Sequence, residues 1–187
     1  MHFKQLTKHL NMRTILIIQI LMISFMTNIE AQTDSAYEMF SGFLIKAKTE
    51  TYASGDESKV IKLNDGCKEI NYALNEFKYR DRYYGEYNFS GEEIVWKNDK
   101  AFWSMNYFGI TNNKIEFPKN FPEFLKEALR KVPRDSPFRG PKIYSNGDFA
   151  YVNDINGAID DFHGIEKIFY KGVEIYKLYY HGGIIIH

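Results

Sequence analysis

Two acidic residues set among aromatic side chains are the first candidates for chemistry. Asp81 stands in the run FKYRDRYYG (residues 77–85), where Phe77, Tyr79, Asp81 and Tyr83 alternate with Lys78, Arg80 and Arg82. On a strand this alternation puts Asp81 on the aromatic face and the cations on the other. A carboxylate on an apolar face is costly unless it is hydrogen-bonded or paired. Two readings follow. Asp81 is a structural acid accepting from tyrosine hydroxyls or backbone amides, or it is a ligand-binding acid or general base with a raised pKa.

Glu92 is the second candidate, and its position depends on register. A turn at Asn98-Asp99 pairs Trp96 with Ala101, Ile94 with Trp103 and Glu92 with Met105. Val95 with Phe102 and Glu93 with Ser104 then fall on the opposite face. In that register Glu92 shares a face with Trp96 and Trp103, Glu93 points to solvent, and Asn106 is on the face away from Trp103. A slip of one residue exchanges these assignments. The expected ligand-binding set is Tyr79, Asp81, Tyr83, Glu92, Trp96 and Trp103. Tyr107 either joins it or fills the core. Two carboxylates facing one aromatic cavity also fit a glycan-type hydrolase using Asp81 and Glu92, provided the two groups stand at a working separation.

His163 and His181 each precede glycine. A turn at Lys171-Gly172 sets His163 opposite Tyr180, with His181 one step along and on the other face. That separates them as metal ligands, so no metal site is expected, and they are at most weak candidates for one. His187 ends the chain. Cys67 has no partner for an internal disulfide and reads as a small buried hydrophobe. No GxSxG, HExxH, P-loop or dinucleotide fingerprint is present, and no cofactor is expected.

The elements that must hold these residues are short and well punctuated. Ser35 and Glu38 form a capping-box pattern ahead of an apolar stripe (Met39, Phe40, Phe43, Leu44, Ala47), which predicts a helix over 36–49. Residues 54–66 are polar and Gly-punctuated, with room for a short strand over 60–63. Turns at Asn75-Glu76 and Asn98-Asp99 predict two hairpins. The first pairs Leu74 with Phe77, Tyr72 with Tyr79, Ile70 with Asp81 and Glu69 with Arg82. Phe121, Phe124, Leu125, Ala128, Leu129 and Val132 lie at helical spacing, with Pro122 in the first turn. Beyond the proline-held loop of 133–141, Asn146-Gly147, Asn156-Gly157 and Lys171-Gly172 are three hairpin signals. They predict strands over 142–145, 148–155, 158–163, 165–170 and 173–181. The expectation is a single α+β domain, a twisted antiparallel β-meander packed on two helices.

The amino terminus reads as an export signal. Arg13 precedes the apolar run of residues 15–26, and Ala31 offers a small residue for cleavage before Gln32. Residues 1–31 are therefore expected to be a signal peptide and 32–187 the mature domain, periplasmic or secreted. Met12 is better placed than Met1 as the initiator. Any membrane contact is expected only through an uncleaved leader, since the run is shorter than the roughly 20 residues a spanning helix needs.

Composition agrees with one folded domain. The chain has 187 residues, 44% hydrophobic and 17% aromatic, enough for a core and rich in residues that suit half-buried strands. Formal net charge is zero, and losing Lys4, Lys8, Arg13 and Glu30 with the leader makes it −2. With no long basic run, nucleic-acid binding has no electrostatic footprint.

An ordered string of short motifs runs through the chain. It comprises TYASG at 51–55, YRDRYYG at 79–85, FSGEE at 89–93, Trp96 and FWSMNYFG at 102–109. It continues with PFRGP at 137–141, NGDF at 146–149, FHGIEKI at 162–168 and YYHGG at 179–183. Over about residues 40–183 this string resembles an uncharacterised bacterial family, a domain of unknown function found alone or C-terminal to helix-turn-helix DNA-binding modules. The resemblance implies no transferable catalytic residues. In the fused form it implies small-molecule sensing or protein contacts. Here a leader replaces the DNA-binding module, which favours an envelope or secreted role. The expected function is a non-enzymatic domain binding a small polar ligand in an aromatic and acidic pocket. The alternatives are the hydrolase above and a protein-interaction module in which the same residues serve only as core.

Overall fold

Alternation of apolar and polar residues over most of the chain is satisfied by one large antiparallel sheet with a single buried face. The computed structural model describes residues 12–112 and 117–187. The expectation about the initiator concerns residues 1–11, which lie outside those described. Helix α1 spans Met12–Glu50, and α2 spans Phe121–Leu129. The strands are β1 (Ile61–Lys62), β2 (Lys68–Leu74), β3 (Phe77–Gly85), β4 (Phe89–Lys97), β5 (Lys100–Thr111), β6 (Ile143–Asn146), β7 (Phe149–Ala158), β8 (Asp161–Tyr170) and β9 (Val173–Ile184). Short 3-10 turns at Tyr52–Ser54 and Glu57–Lys59 connect α1 to β1.

The α+β class holds, but the sheet is not one meander. Its order is β1-β2-β3-β4-β5-β9-β8-β7-β6. Two antiparallel meanders, β1–β5 and β6–β9, join where β5 pairs with the last strand, Trp103 opposite Ile184 and Thr111 opposite Tyr176. Helix α1 also starts far upstream of the expected position, because the apolar run of 15–26 and the capping-box segment form one continuous helix. Its C-terminal end falls close to the predicted one. Four strands, not five, follow α2. The Asn156-Gly157 signal makes no turn: Gly157 (φ 92°) pairs with Phe162 inside the β7–β8 ladder. The chain reverses at residues 159–160 instead. Ile159 there is buried, and its carbonyl accepts from Trp103 Nε1 at 3.1 Å, so a core contact outweighs the local turn signal.

The chain divides into two units, residues 1–40 and 41–187. In the first, the side chains of residues 15–27 are exposed. The second holds the sheet and everything that follows. One sheet face is covered there by residues 41–50 of α1, by α2 and by the loop after it. Phe43 stacks on Phe77 at 4.9 Å, Phe124 on Phe149 at 4.7 Å and Phe138 on Phe162 at 3.8 Å. Burying side chains of this size is worth about 1.5–3 kcal/mol each. Ser41 Oγ donates to the Arg134 carbonyl at 2.6 Å, and Arg130 Nη1 to the Ala53 carbonyl at 2.8 Å. These bonds tie the covering segments to one another.

The turn residues behave as the sequence predicts at three hairpins. Asn75 (φ 54°), Asn98 and Asp99 (φ 49° and 64°), and Lys171 with Gly172 (φ 49° and 80°) all occupy the left-handed region that primed turns require.

Candidate functional site

The first hairpin fixes Asp81. Leu74–Phe77, Tyr72–Tyr79, Ile70–Asp81 and Glu69–Arg82 are paired as the two-residue turn dictates. Tyr79 and Asp81 therefore face the covered side and are buried. Arg82 stays on the other face, where its Nε donates to Glu69.

The second hairpin departs from a regular ladder. Trp96 pairs with Ala101, but Val95 pairs with Trp103, leaving Phe102 as the extra residue of a β-bulge. From there the register is displaced by one, so Glu93 opposes Met105 and Glu92 opposes Asn106. The two glutamates exchange faces relative to the expected ladder. Glu93 is buried beside Asp81, its partner across β3 and β4. Glu92 lies on the open face, bonded to Arg80 Nη2 at 3.1 Å, and the Arg80 guanidinium sits 5.0 Å from the Trp96 ring centroid. Glu92 and Trp96 thus leave the candidate site, and the Asp81/Glu92 acid pair is divided by the sheet. Trp103 does face inward, but it is wholly buried and stacked on Phe162 at 5.7 Å. It is core, not lining.

A second bulge, at Ile175, corrects the histidines. Ile168 pairs with Tyr176 and Phe169 with Glu174, which brings His163 directly opposite His181. Both are exposed on the open face. Among the described residues no group of three or more histidine, cysteine or acidic side chains is placed to hold a metal. Cys67 is buried and free, as expected.

Between the covered sheet face and its helical lid lies a cavity of about 640 Å³. That is within the ~300–1,000 Å³ usual for small-molecule sites. Tyr79, Asp81 and Tyr83 line it from β3, and Tyr107 joins them from β5. Glu93, Lys48, Tyr52 and Arg139 complete the polar lining, and Phe89, Phe121, Leu125 and Phe138 are among its apolar walls.

Its electrostatics are organised by pairs. Lys48, on the buried face of α1, donates to Glu93. Burial lowers the Lys48 pKa while Glu93 pulls it back up. Arg139 holds Glu166 with two bonds, Nε to Oε2 at 2.9 Å and Nη2 to Oε1 at 2.8 Å. Tyr151 and Tyr176 donate to the same carboxylate at 2.6 and 2.9 Å. Asp81 has no cation bonded to it among the described residues. Its Oδ1 accepts from Tyr107 Oη at 2.6 Å. Burial, reinforced by the neighbouring Glu93 charge, raises Asp81 to about 7. Burial likewise pushes up the hydroxyls of Tyr79 and Tyr107, and raises Tyr52 to about 12, so these act as neutral hydrogen-bonding groups.

Gly91 makes the Asp81–Tyr107 contact possible. It pairs with Tyr107, and a Cβ there would stand 2.4 Å from Tyr107 Oη and 2.4 Å from the Arg82 carbonyl. Gly91→Ala is expected to drive Tyr107 off Asp81 and to cost about 1–3 kcal/mol, the usual scale of overpacking. Urea denaturation of the variant measures it, and an unchanged midpoint would show that the ring does not pass over Gly91.

Lys48, Glu93, Arg139 and Glu166 were missed by the sequence reading. Lys48 falls one helical turn after Leu44, on the apolar stripe. Glu166 alternates with Phe162, Gly164 and Ile168, as Asp81 does with its tyrosines. Both carried a periodic signal. Arg139, in an irregular loop, carried none, and the position of Glu93 depended on the Phe102 bulge.

Comparison with curated proteins and with solved structures gives no match. A family model described as a domain of unknown function (DUF5680) matches residues 81–185, more than half of the chain, and the chain belongs to that family.

Proposed function

We propose that this member of a domain-of-unknown-function family is a small-molecule binding domain, with its site in the cavity between the covered sheet face and the helical lid. The observation that carries the reading is a buried carboxylate, Asp81, opening into a space of ligand size whose walls are aromatic. A core that served stability alone would be filled to packing density, since voids forfeit dispersion contacts on their lining. An acid with no cation bonded to it would be replaced at little cost by an apolar residue. The combination of space, hydroxyls and one uncompensated acid is the pattern of a polar ligand site.

Ligand-observed NMR with a panel of small aromatic compounds tests this on the full chain. Binders are expected for wild type, and Leu125→Trp, which fills the cavity from α2, is expected to abolish them while leaving the circular dichroism spectrum unchanged. Binders indifferent to Leu125→Trp, or the absence of any binder, would refute a site in this cavity.

A further inference from the structure

We infer that the ligand of this cavity is an organic cation, a protonated amine carried on an apolar or aromatic body. The inference rests on the reading of the cavity as a ligand site and specifies what that site takes. Its basis is the pairing of charges around the cavity. Lys48 is committed to Glu93, and Arg139 is committed to Glu166 by two bonds. At the rim, Lys68 faces Glu86 at 3.4 Å and Lys126 faces Glu57 at 3.6 Å. Each lining cation just named has a carboxylate of its own. Asp81 is the acid left without one, with Oδ1 bonded to the Tyr107 hydroxyl and 5% of its surface exposed. Lys62 and Lys119 also line the cavity. Both are exposed, Lys62 on the edge strand β1 and Lys119 just ahead of α2, where solvent and salt screen their charge.

The walls fit the same chemistry. Tyr79 and Tyr83 flank Asp81 on β3, Tyr52 meets Tyr83 edge to face at 6.3 Å, and Phe89 meets Tyr107 at 6.1 Å. Aromatic faces around the Asp81 carboxylate attract a cation through the ring quadrupole, and the attraction grows when water is excluded. Beside a neutral ligand Asp81 keeps its proton up to about pH 7, and an anion would add repulsion once the carboxylate is ionised, so a cation is the ligand class that the ionised acid selects.

A cation bound at Asp81 needs the carboxylate ionised. The groups facing it are Lys48 from α1, Tyr79 and Tyr83 on its own strand, Glu93 from β4, Tyr107 from β5, Tyr52 from the 3-10 turn and Arg139 from the loop after α2. With the free carboxyl titrating about 7, raised by burial and by Glu93, the cation competes with a proton. Binding should therefore strengthen with pH across neutrality and release a proton.

Three probes of one shape test the inference on the full chain: 2-phenylethylamine, 2-phenylethanol and 3-phenylpropionate, measured by calorimetry and ligand-observed NMR. The amine, cationic throughout pH 6–8, is expected to bind tightest and to gain about tenfold in affinity from pH 6 to pH 8. Asp81→Asn, which keeps an acceptor for Tyr107, is expected to weaken the amine at least tenfold and to leave the alcohol unchanged. The wild-type pH series reads the same quantity without any variant. Tighter binding of phenylpropionate, or amine binding that is flat with pH, would overturn the cationic ligand while leaving the ligand site itself standing. If none of the three probes binds, the cationic ligand falls, and the panel with Leu125→Trp decides the site separately.

Discussion

Replacing Arg139 with methionine is expected to destabilise the domain by about 3–5 kcal/mol, the range for removing one partner of a buried ion pair. Glu166 is wholly buried, and both of its oxygens are committed, one to Arg139 and Tyr151 and the other to Arg139 and Tyr176. Without the guanidinium the carboxylate keeps two tyrosine donors but loses its countercharge. The buried charge then draws water into the core. The double variant Arg139→Met with Glu166→Gln removes the charge as well, and is expected to recover most of the loss. Urea denaturation at neutral pH measures both. A single-variant loss below about 1 kcal/mol would mean that the pair is solvated, as exposed ion pairs are. The cluster also shapes the site, because Arg139 lines the cavity while Phe138 beside it stacks on Phe162.

The second large effect is a pH dependence opposite to that of most carboxylates. Asp81 has an ordinary value of 3.8 in the unfolded chain and about 7 in the fold, raised first by burial and then by the Glu93 charge. Between those values the folded state holds the extra proton. The stability contributed by protonated Asp81 is complete below pH 3.8 and is lost as pH rises through 7. The total is on the order of 4 kcal/mol, since the pKa rises from 3.8 to about 7 and one unit of pKa difference corresponds to about 1.4 kcal/mol. Glu69, Glu127 and Glu174, whose values are lowered in the fold by hydrogen bonds and cations, run the other way. The comparison with Asp81→Asn isolates the single group, because asparagine resembles the protonated acid. The variant is expected to be close to wild type at pH 4 and more stable by a few kcal/mol at pH 8. Parallel stability profiles would mean that Asp81 keeps an ordinary pKa and is not the uncompensated acid of the cavity.

The fit between sequence and structure divides at particular residues. The β2–β3 pairing was legible because a two-residue turn with Asn75 at positive φ leaves only one register for flanking strands of period two. Asp81, Tyr79 and Tyr83 followed from that alone. The β4–β5 turn was equally legible, but Phe102 bulges out of the ladder three residues beyond it, and every assignment downstream changes face. Glu93 for Glu92 is the consequence. At β8–β9 the bulge at Ile175 does the same to the histidines, turning neighbours on opposite faces into a directly opposed pair. A bulge leaves no periodic mark in a short strand, because the residue it displaces is chosen by packing against elements distant in sequence. Trp103 and Ile159 show how distant, with their hydrogen bond closing 56 residues of chain.

What the sequence by itself determined is the class of fold and one acid. Alternation, turn residues and two apolar stripes require antiparallel hairpins and a helix that buries one face, and they place Asp81 among tyrosines on that face. The motif string likewise marked an uncharacterised family, the one to which the chain belongs. Only the tertiary structure decided that the last strand closes against β5, bringing Tyr176 and Tyr180 into one covered face with Asp81. It alone decided which cation meets which acid. Lys48–Glu93 and Arg139–Glu166 form between residues 45 and 27 positions apart, through a helix and a loop whose docking local periodicity does not specify. That Asp81 is left without a cation is therefore a property of the assembled pairs. Asp81 could be read from its strand, but its isolation exists only once Glu93 and Glu166 have taken Lys48 and Arg139 as partners.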